Sequence, residues 1–424
     1  MVKYILGPAL LMLFTGNIIA QNLQTIDLSK AYELAVKNYP ATKQTKLIGQ
    51  TASINIDNLN KGYLPQLTLS GQATYQSEVT KVPVTIPGFT IESPSKDQYK
   101  VVADVNQLIY DGGTIKQQKE VSRLTAGVDN QRVEVELYQL KDRINQIYLG
   151  TLYIDEQLKQ VDLIKEDLWT GIKRVEAQVN NGVAFRSNLN VLKAELLKTD
   201  QRAIELKATR KGLIETLELF LGQQLDENIA LERPAVASFA ANTEISRPEI
   251  KLFENQTNLI SQQTNLIKAK NLPKASLFVQ GGYGRPGLNM LTNDFDLYYI
   301  GGIRFNWSLS NLYTKKKEKE LVEVNKRIVD VQKETFLLNT NTQLKTQQSE
   351  IEKLNQLIAS DNEIIDLRQQ VKESAKAQLE NGVITANDFL DEVNAEDQAR
   401  QTRITHQLQL LQAQINYQTI SGKQ

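Results

Sequence analysis

Between Pro94 and Pro234 the chain contains no proline, and inside that window alternating steps of four and three residues from Val133 to Val179 land on apolar side chains everywhere except Thr151 and Lys165. A period of 3.5 held over so many turns is the pattern of a coiled-coil helix, whose narrow apolar seam must be buried against partner helices. The spacing predicts a helix from about Ile115 to Asn180, ~65 residues and roughly 100 Å at 1.5 Å per residue. That is far longer than a globular domain needs.

Composition narrows what such helices serve. Hydrophobic residues make up 41% of the 424 and aromatics 7%, which suits elongated helices better than a thick core. Lys plus Arg and Asp plus Glu each number 49, so there is no net charge to draw a nucleic acid. Cysteine is absent, which excludes disulfides, thiolate metal sites, cysteine nucleophiles and a lipidated N-terminal cysteine. The single histidine, His406, sits in a heptad run near Ile404 and Leu408 and reads as a helix-face residue. No nucleophile, base or ligand constellation suggests an enzyme, and neither a cofactor nor a metal is expected.

The N-terminus has the plan of an export signal over residues 1–20. Lys3 supplies the charge, Tyr4 to Phe14 the apolar stretch, and Ala20 the small residue before the cut. Gly7, Pro8, Gly16 and Asn17 interrupt it too often for a membrane span, and no other stretch approaches twenty apolar residues. An exported chain of this kind enters a membrane, if at all, as strands.

Two short helices, Leu28 to Lys37 and Ala41 to Lys61, precede a change of period. From Gln66 to Gln76, Leu67, Leu69, Gly71, Ala73 and Tyr75 alternate with Thr68, Ser70, Gln72 and Thr74, and alternation returns from Tyr99 to Val105 after a loop bearing Pro83, Pro87, Gly88 and Pro94. Strand, long loop and strand make one hairpin over about 66–110. The plan then recurs. Pro40 and Pro248, Pro65 and Pro273, and Tyr75 and Tyr283 are each 208 residues apart, whereas Asn106 and Asn306, and the Asn-Gly-Val segments at 181 and 381, are 200 apart. Two constant offsets, broken only in the hairpin loop, indicate a duplicated unit. The expected organisation is a first repeat over 21–222, with helices about 115–180 and 187–221, a connecting segment over 223–246, and a second repeat over 247–424. The second repeat holds a hairpin about 275–307 and helices about 314–380 and 386–420.

Each strand has one apolar face with aromatics near its ends, Tyr75, Tyr99, Tyr283, Phe295 and Trp307, and one largely polar face bearing glycines. A soluble sandwich and a membrane barrel share that pattern. Four strands feeding helices of this length fit the barrel better, but four cannot close one, and lipid forbids an open edge. Several copies must therefore join, and twelve or more strands would leave a lumen. Gly281, Gly282, Gly284 and Gly287 are read as small lumen residues and a turn, since no Gly-Lys-Ser/Thr sequence follows to make a phosphate loop.

This organisation resembles the TolC family of outer-membrane efflux proteins. Leu28, Ala31, Ala35, Asn38 and Pro40 look like the family's opening helix, and the two Asn-Gly-Val segments like its helix tips. The resemblance implies an α+β membrane protein in which three chains, four strands each, share a 12-stranded outer-membrane β-barrel continuous with a coiled-coil α-helical periplasmic barrel. It implies a passive exit duct of a tripartite efflux or type I secretion system in a Gram-negative cell. Its partners would be a periplasmic adaptor (membrane fusion protein), an inner-membrane RND or ABC-type pump indirectly, and outer-membrane lipid. It also implies that Asp388 and Asp391, one helix turn apart, form the constriction at the periplasmic gate, six carboxylates in a trimer that repel one another and attract cations. The tips Gly182, Val183, Gly382 and Val383 would dock the adaptor. On spacing alone, Asp388 reads as a charge favoured at a helix N-terminus and Asp391 as a solvated one. Positions where the family's gate latch can carry a tyrosine, an arginine and an aspartate hold Leu379, Ile384 and Asn188 here. The reading left beside the conduit is an exported coiled-coil structural or adhesin protein.

Overall fold

The computed structural model describes residues 25–81, 83, 93–235 and 244–423. The expected export signal and parts of the first hairpin loop and of the connecting segment lie outside them. In chain order the elements are β1 (Thr25–Ile26), α1 (Leu28–Asn38), α2 (Thr42–Asn60), β2 (Gln66–Tyr75), β3 (Asp97–Tyr110), α3 (Thr114–Asn180) and α4 (Arg186–Leu221). There follow β4 (Ala230–Leu231), α5 (Pro248–Lys270), β5 (Lys274–Arg285), β6 (Asp296–Asn306), α6 (Asn311–Glu380) and α7 (Ala386–Ser421). The described residues form two compact units. One comprises 25–38, 142–235 and 351–415, the other 39–81, 83, 93–141, 244–350 and 416–423.

In the first unit the heptad seam of α3 is buried as its period requires, with Ile144, Val161 and Leu168 fully enclosed. Its two polar positions are accommodated individually. Thr151 is 0% exposed and returns its hydroxyl to the Ile147 carbonyl at 2.9 Å, while Lys165 reaches Asp200 of α4 at 2.6 Å. Toward the helix ends Leu168 and Ile172 of α3, Leu192 of α4, Leu379 of α6 and Phe389 and Val393 of α7 share one apolar core. Ala31 and Ala35 of α1 are buried, and Asn38 donates to the Leu219 and Phe220 carbonyls at 3.1 and 3.2 Å, answering acceptors that the end of α4 leaves open. Gly222 caps that end at φ +68, with Asn38 so close that a Cβ would meet it at 2.4 Å.

The short parallel pair β1–β4 was not expected from the sequence. The Tyr148 hydroxyl lies 2.7 Å from both the Ile26 and Glu232 carbonyls, and burial raises its pKa. Arg210 of α4 pins the approach to β4, with one arm on Asp155 and another on the Ile229 carbonyl, each at 2.6 Å.

The second unit is built on a four-stranded antiparallel sheet in the order β2-β3-β5-β6. β3 extends beyond the alternating stretch at both ends and carries a register shift between Leu108 and Tyr110. Asp111 then turns the chain into α3: its carboxylate accepts from the Gly113 and Ile115 amides at 2.8 and 2.6 Å, as an N-cap does. Gly112 sits at φ +70, where a Cβ would lie 2.7 Å from the Ala269 carbonyl oxygen, so only glycine fits.

Candidate channel wall and helix tips

Side chains alternate across a sheet, so the register assigns every strand residue to a face. One face carries Leu67, Leu69 and Tyr75 from β2, Tyr99 and Val101 from β3, Leu277, Val279 and Tyr283 from β5, and Leu297, Tyr299, Ile303 and Phe305 from β6. All are exposed, Leu69 at 74% and Leu297 at 83%. The other face carries Thr68, Ser70 and Gln72, then Lys100, Asp104 and Asn106, then Ser276 and Gln280, and finally Arg304. The buried residues of the sheet, Val102, Gly282, Gly284 and Tyr298, belong to this polar side. The greasy face is thus exposed on every strand, whereas a sheet that faces water on one side buries that face.

The aromatics singled out from the sequence fall at the ends of that face. Tyr99 and Tyr283 stack with Phe295 at ring separations of 6.3 and 5.5 Å, the Arg285 guanidinium lies over Tyr99 and Phe295, and Tyr75 is paired beside Asp97. Trp307 stands at the other end, its indole donating to the Asn271 carbonyl at 3.2 Å. No helix among the described residues is long and apolar enough to cross a membrane.

The two expected tips close alike. Gly182 and Gly382 have φ +73 and +71, the Val183 amide donates to the Gln178 carbonyl at 2.8 Å, and the Val383 amide to the Gln378 carbonyl at 2.9 Å. These six-to-one bonds are Schellman closures, which favour glycine at the left-handed position. Val183 and Val383 project into solvent at 76% and 70% exposure. Phe185 is equally bare at 79%, an aromatic that the reading of the sequence passed over.

Asp388 and Asp391 are both exposed on the first turns of α7. Asp388 closes a capping box with Thr385, accepting from its amide and its hydroxyl at 2.8 Å each. Those bonds hold its carboxyl below the ordinary aspartate range. It also lines a groove of about 530 Å³ between α6 and α7, with Val371, Ser374, Gln378, Ile384 and Glu392.

Of the departures from the family's latch, Leu379 is buried in the four-helix core, and Ile384 and Asn188 are half-buried. Polar ties between α3 and α6 come from elsewhere. Gln178 donates to the Leu379 carbonyl at 3.0 Å, Arg174 pairs with Glu380, and Lys372 of α6 reaches Asp167 of α3 at 2.8 Å and Glu396 of α7 at 2.6 Å. Burial alone would lower the Lys372 pKa, but its hydrogen bonds to Asp167 and Glu396 outweigh that and raise it. Glu396 is the mirror case: burial would raise it, and Lys372 and Arg400 bring it below the ordinary glutamate range. Its neighbour Asp397 is pushed up by burial despite Arg202, Gln160 and Gln401. His406 packs from α7 against α6, with Nδ1 2.6 Å from an Asp361 oxygen.

Residues 31–223 match the family model described as outer membrane efflux protein. That stretch, a little under half of the chain, is similar to this family. Outer membrane efflux proteins are channels rather than enzymes. Solved structures of similar fold extend the likeness beyond the matched stretch. CusC, described with the conformational changes accompanying its folding and transmembrane channel formation, has 15% identity and a TM-score of 0.68 over 94% of this chain and 92% of its own. The outer membrane protein VceC of Vibrio cholerae has 14% identity and a TM-score of 0.65 over 93% and 96%. The CmeC outer membrane channel of Campylobacter jejuni has 14% identity and a TM-score of 0.63 over 93% and 85%. No curated protein sequence matches the chain.

Proposed function

We propose that this chain is an outer membrane efflux protein, the passive exit duct of a tripartite efflux or type I secretion system, exported by its N-terminal signal and assembled as a trimer around a shared twelve-stranded barrel. The observation that carries the reading is the sheet's apolar face, whose large side chains are exposed on all four strands while the few buried strand residues lie on the polar side, together with unpaired edges at β2 and β6. Lipid answers the first and neighbouring copies answer the last. The rings at the ends of the apolar face suit the two levels of the bilayer interface. An exported scaffold in water would leave this surface without a function.

Closure by copies has a second support. Because each neighbouring pair is antiparallel, β2 and β6 run in opposite directions, so β6 of one chain would pair antiparallel with β2 of the next. That pairing brings α2, which leads into β2, beside α6, which leaves β6. No residue of α2 is buried, and with α3 it borders an apolar groove of about 770 Å³ containing Leu47, Ile48 and Val121. On α6 Leu321, Val324, Ile328, Val331 and Leu338 form an exposed heptad stripe. Ile48 stands 18 residues before Gln66 and Val324 18 after Asn306. In this cysteine-free chain, Ile48→Cys with Val324→Cys is expected to form an intermolecular disulfide in membranes, and each single variant none. Monomeric double variant after oxidation would refute the pairing.

Asp388 and Asp391 are read as the periplasmic constriction, and Gly182, Val183, Gly382 and Val383 as the docking points of an adaptor hairpin. The pump is reached through the adaptor. The double variant Asp388→Ala with Asp391→Ala is expected to raise single-channel conductance and weaken block by divalent cations. Unchanged conductance and block would remove both residues from the gate.

A further inference from the structure

We infer that Tyr298 and Phe278 are folded flat against the channel wall by the glycines opposite them, and that this seating sets the free width of the lumen. The inference rests on reading the polar face of the sheet as the lumen wall. Both strands of the second hairpin carry an aromatic with a glycine four residues later, Phe278 with Gly282 on β5 and Tyr298 with Gly302 on β6. The register crosses them, so that Tyr298 pairs directly with Gly282 and Phe278 with Gly302, all four on the polar face. An aromatic ring laid over a cross-strand glycine fills the space of the missing side chain.

The fit is tight at Gly282, where a Cβ would stand 2.3 Å from Tyr298 Cζ and 2.4 Å from its hydroxyl oxygen. Tyr298 is only 9% exposed in a strand otherwise open to solvent, and its hydroxyl has no hydrogen-bond partner among the described residues. Shape rather than a polar anchor therefore seats the ring, against the cost of an unpaired hydroxyl. At Gly302 the same construction is looser, with a Cβ 3.2 Å from Phe278 Cε1. Each ring also carries a cation, the Lys100 ammonium 5.4 Å from the Tyr298 centroid and the Arg304 guanidinium 4.5 Å from that of Phe278. A methyl group added at Gly282 cannot share the wall with the ring. The backbone is held by pairing on both sides, so the ring is what moves, and the wall leaves it only the lumen.

Single-channel recording of the full chain in planar bilayers tests this, with Asp388→Ala and Asp391→Ala present in parent and variants alike so that the proposed periplasmic constriction does not limit the current. Gly282→Ala is expected to lower the conductance step, Tyr298→Ala to raise it, and the two combined to abolish the drop. Gly302→Ala, with room for a small adjustment, should change conductance far less than Gly282→Ala. Parent conductance in both Gly282→Ala and Tyr298→Ala channels would overturn the inference while leaving the conduit intact. A parent protein that conducts nothing would overturn the conduit and this inference with it. Should Gly282→Ala fail to assemble, Tyr298→Ala alone decides, since it leaves the backbone pairing untouched.

Discussion

Leu69→Arg is expected to keep the chain out of the outer membrane. Leu69 is 74% exposed and lies in the row Leu69, Ala103, Gly281 and Tyr299 across the middle of the sheet. In water, replacing so exposed a leucine by arginine would change stability by less than about 0.5 kcal/mol. At the midplane of a bilayer the same change costs about 2 to 4 kcal/mol per copy. The test is the amount of heat-modifiable oligomer in outer-membrane fractions, with Ser70→Arg as the companion. Ser70 belongs to the polar face, and its substitution should leave assembly nearly at the parent level. Equal behaviour of the two variants would show that the faces do not differ in what they meet.

The second large effect is expected at Glu396. Its side chain is 5% exposed and receives Lys372 and Arg400, each at 2.6 Å. Glu396→Ala leaves a lysine that is itself 10% exposed with Asp167 as its remaining partner, and breaking a buried pair in this way costs about 3 to 5 kcal/mol. The urea midpoint of the detergent-solubilised protein should fall accordingly, and Glu396→Gln should recover part of the loss by still accepting hydrogen bonds. An unchanged midpoint in Glu396→Ala would mean that the three-helix tie adds nothing.

The pH dependence follows from the signs. The Glu396 pKa is lowered in the folded state, so its contribution is present above the ordinary glutamate pKa and is lost as acid takes the pH through the folded value. Asp397 works the other way: with its pKa raised by burial, its contribution is greatest in acid and declines as pH rises through the folded value. Glu396→Ala should therefore show a shallower fall of the urea midpoint with acid than the parent.

Period explains what could be read without coordinates. The seam of α3 and the alternation of β2 and β6 repeat often enough to identify both element and face, and Gly182 and Gly382 carry the backbone requirement of their turns in their own identity. Features with no period were invisible. Two residues each of β1 and β4 cannot alternate, and Tyr148, which ties them, stands off the four-three seam beside Ile147. Regular alternation stops before the end of β3 because Gln107 stands at an apolar-face position and the register then shifts between Leu108 and Tyr110. Lys372 and Glu396 look like ordinary surface charges of amphipathic helices until a third helix brings Asp167 to them. Asp388 carried two meanings, gate charge and helix cap. The bonds to Thr385 make the cap real in the single chain, and the two roles are compatible because capping leaves the carboxylate exposed.

The open edges of β2 and β6 also bear on how such a protein reaches its destination. A solitary chain carries a greasy surface that water rejects and two rows of unsatisfied amides and carbonyls that lipid rejects, so neither phase is a resting place for it. On the proposed reading, commitment to the bilayer follows encounter between chains. The rate of insertion should then rise more steeply than in proportion to the supply of newly exported polypeptide, and a cell making too little would lose mature channels faster than it loses chains.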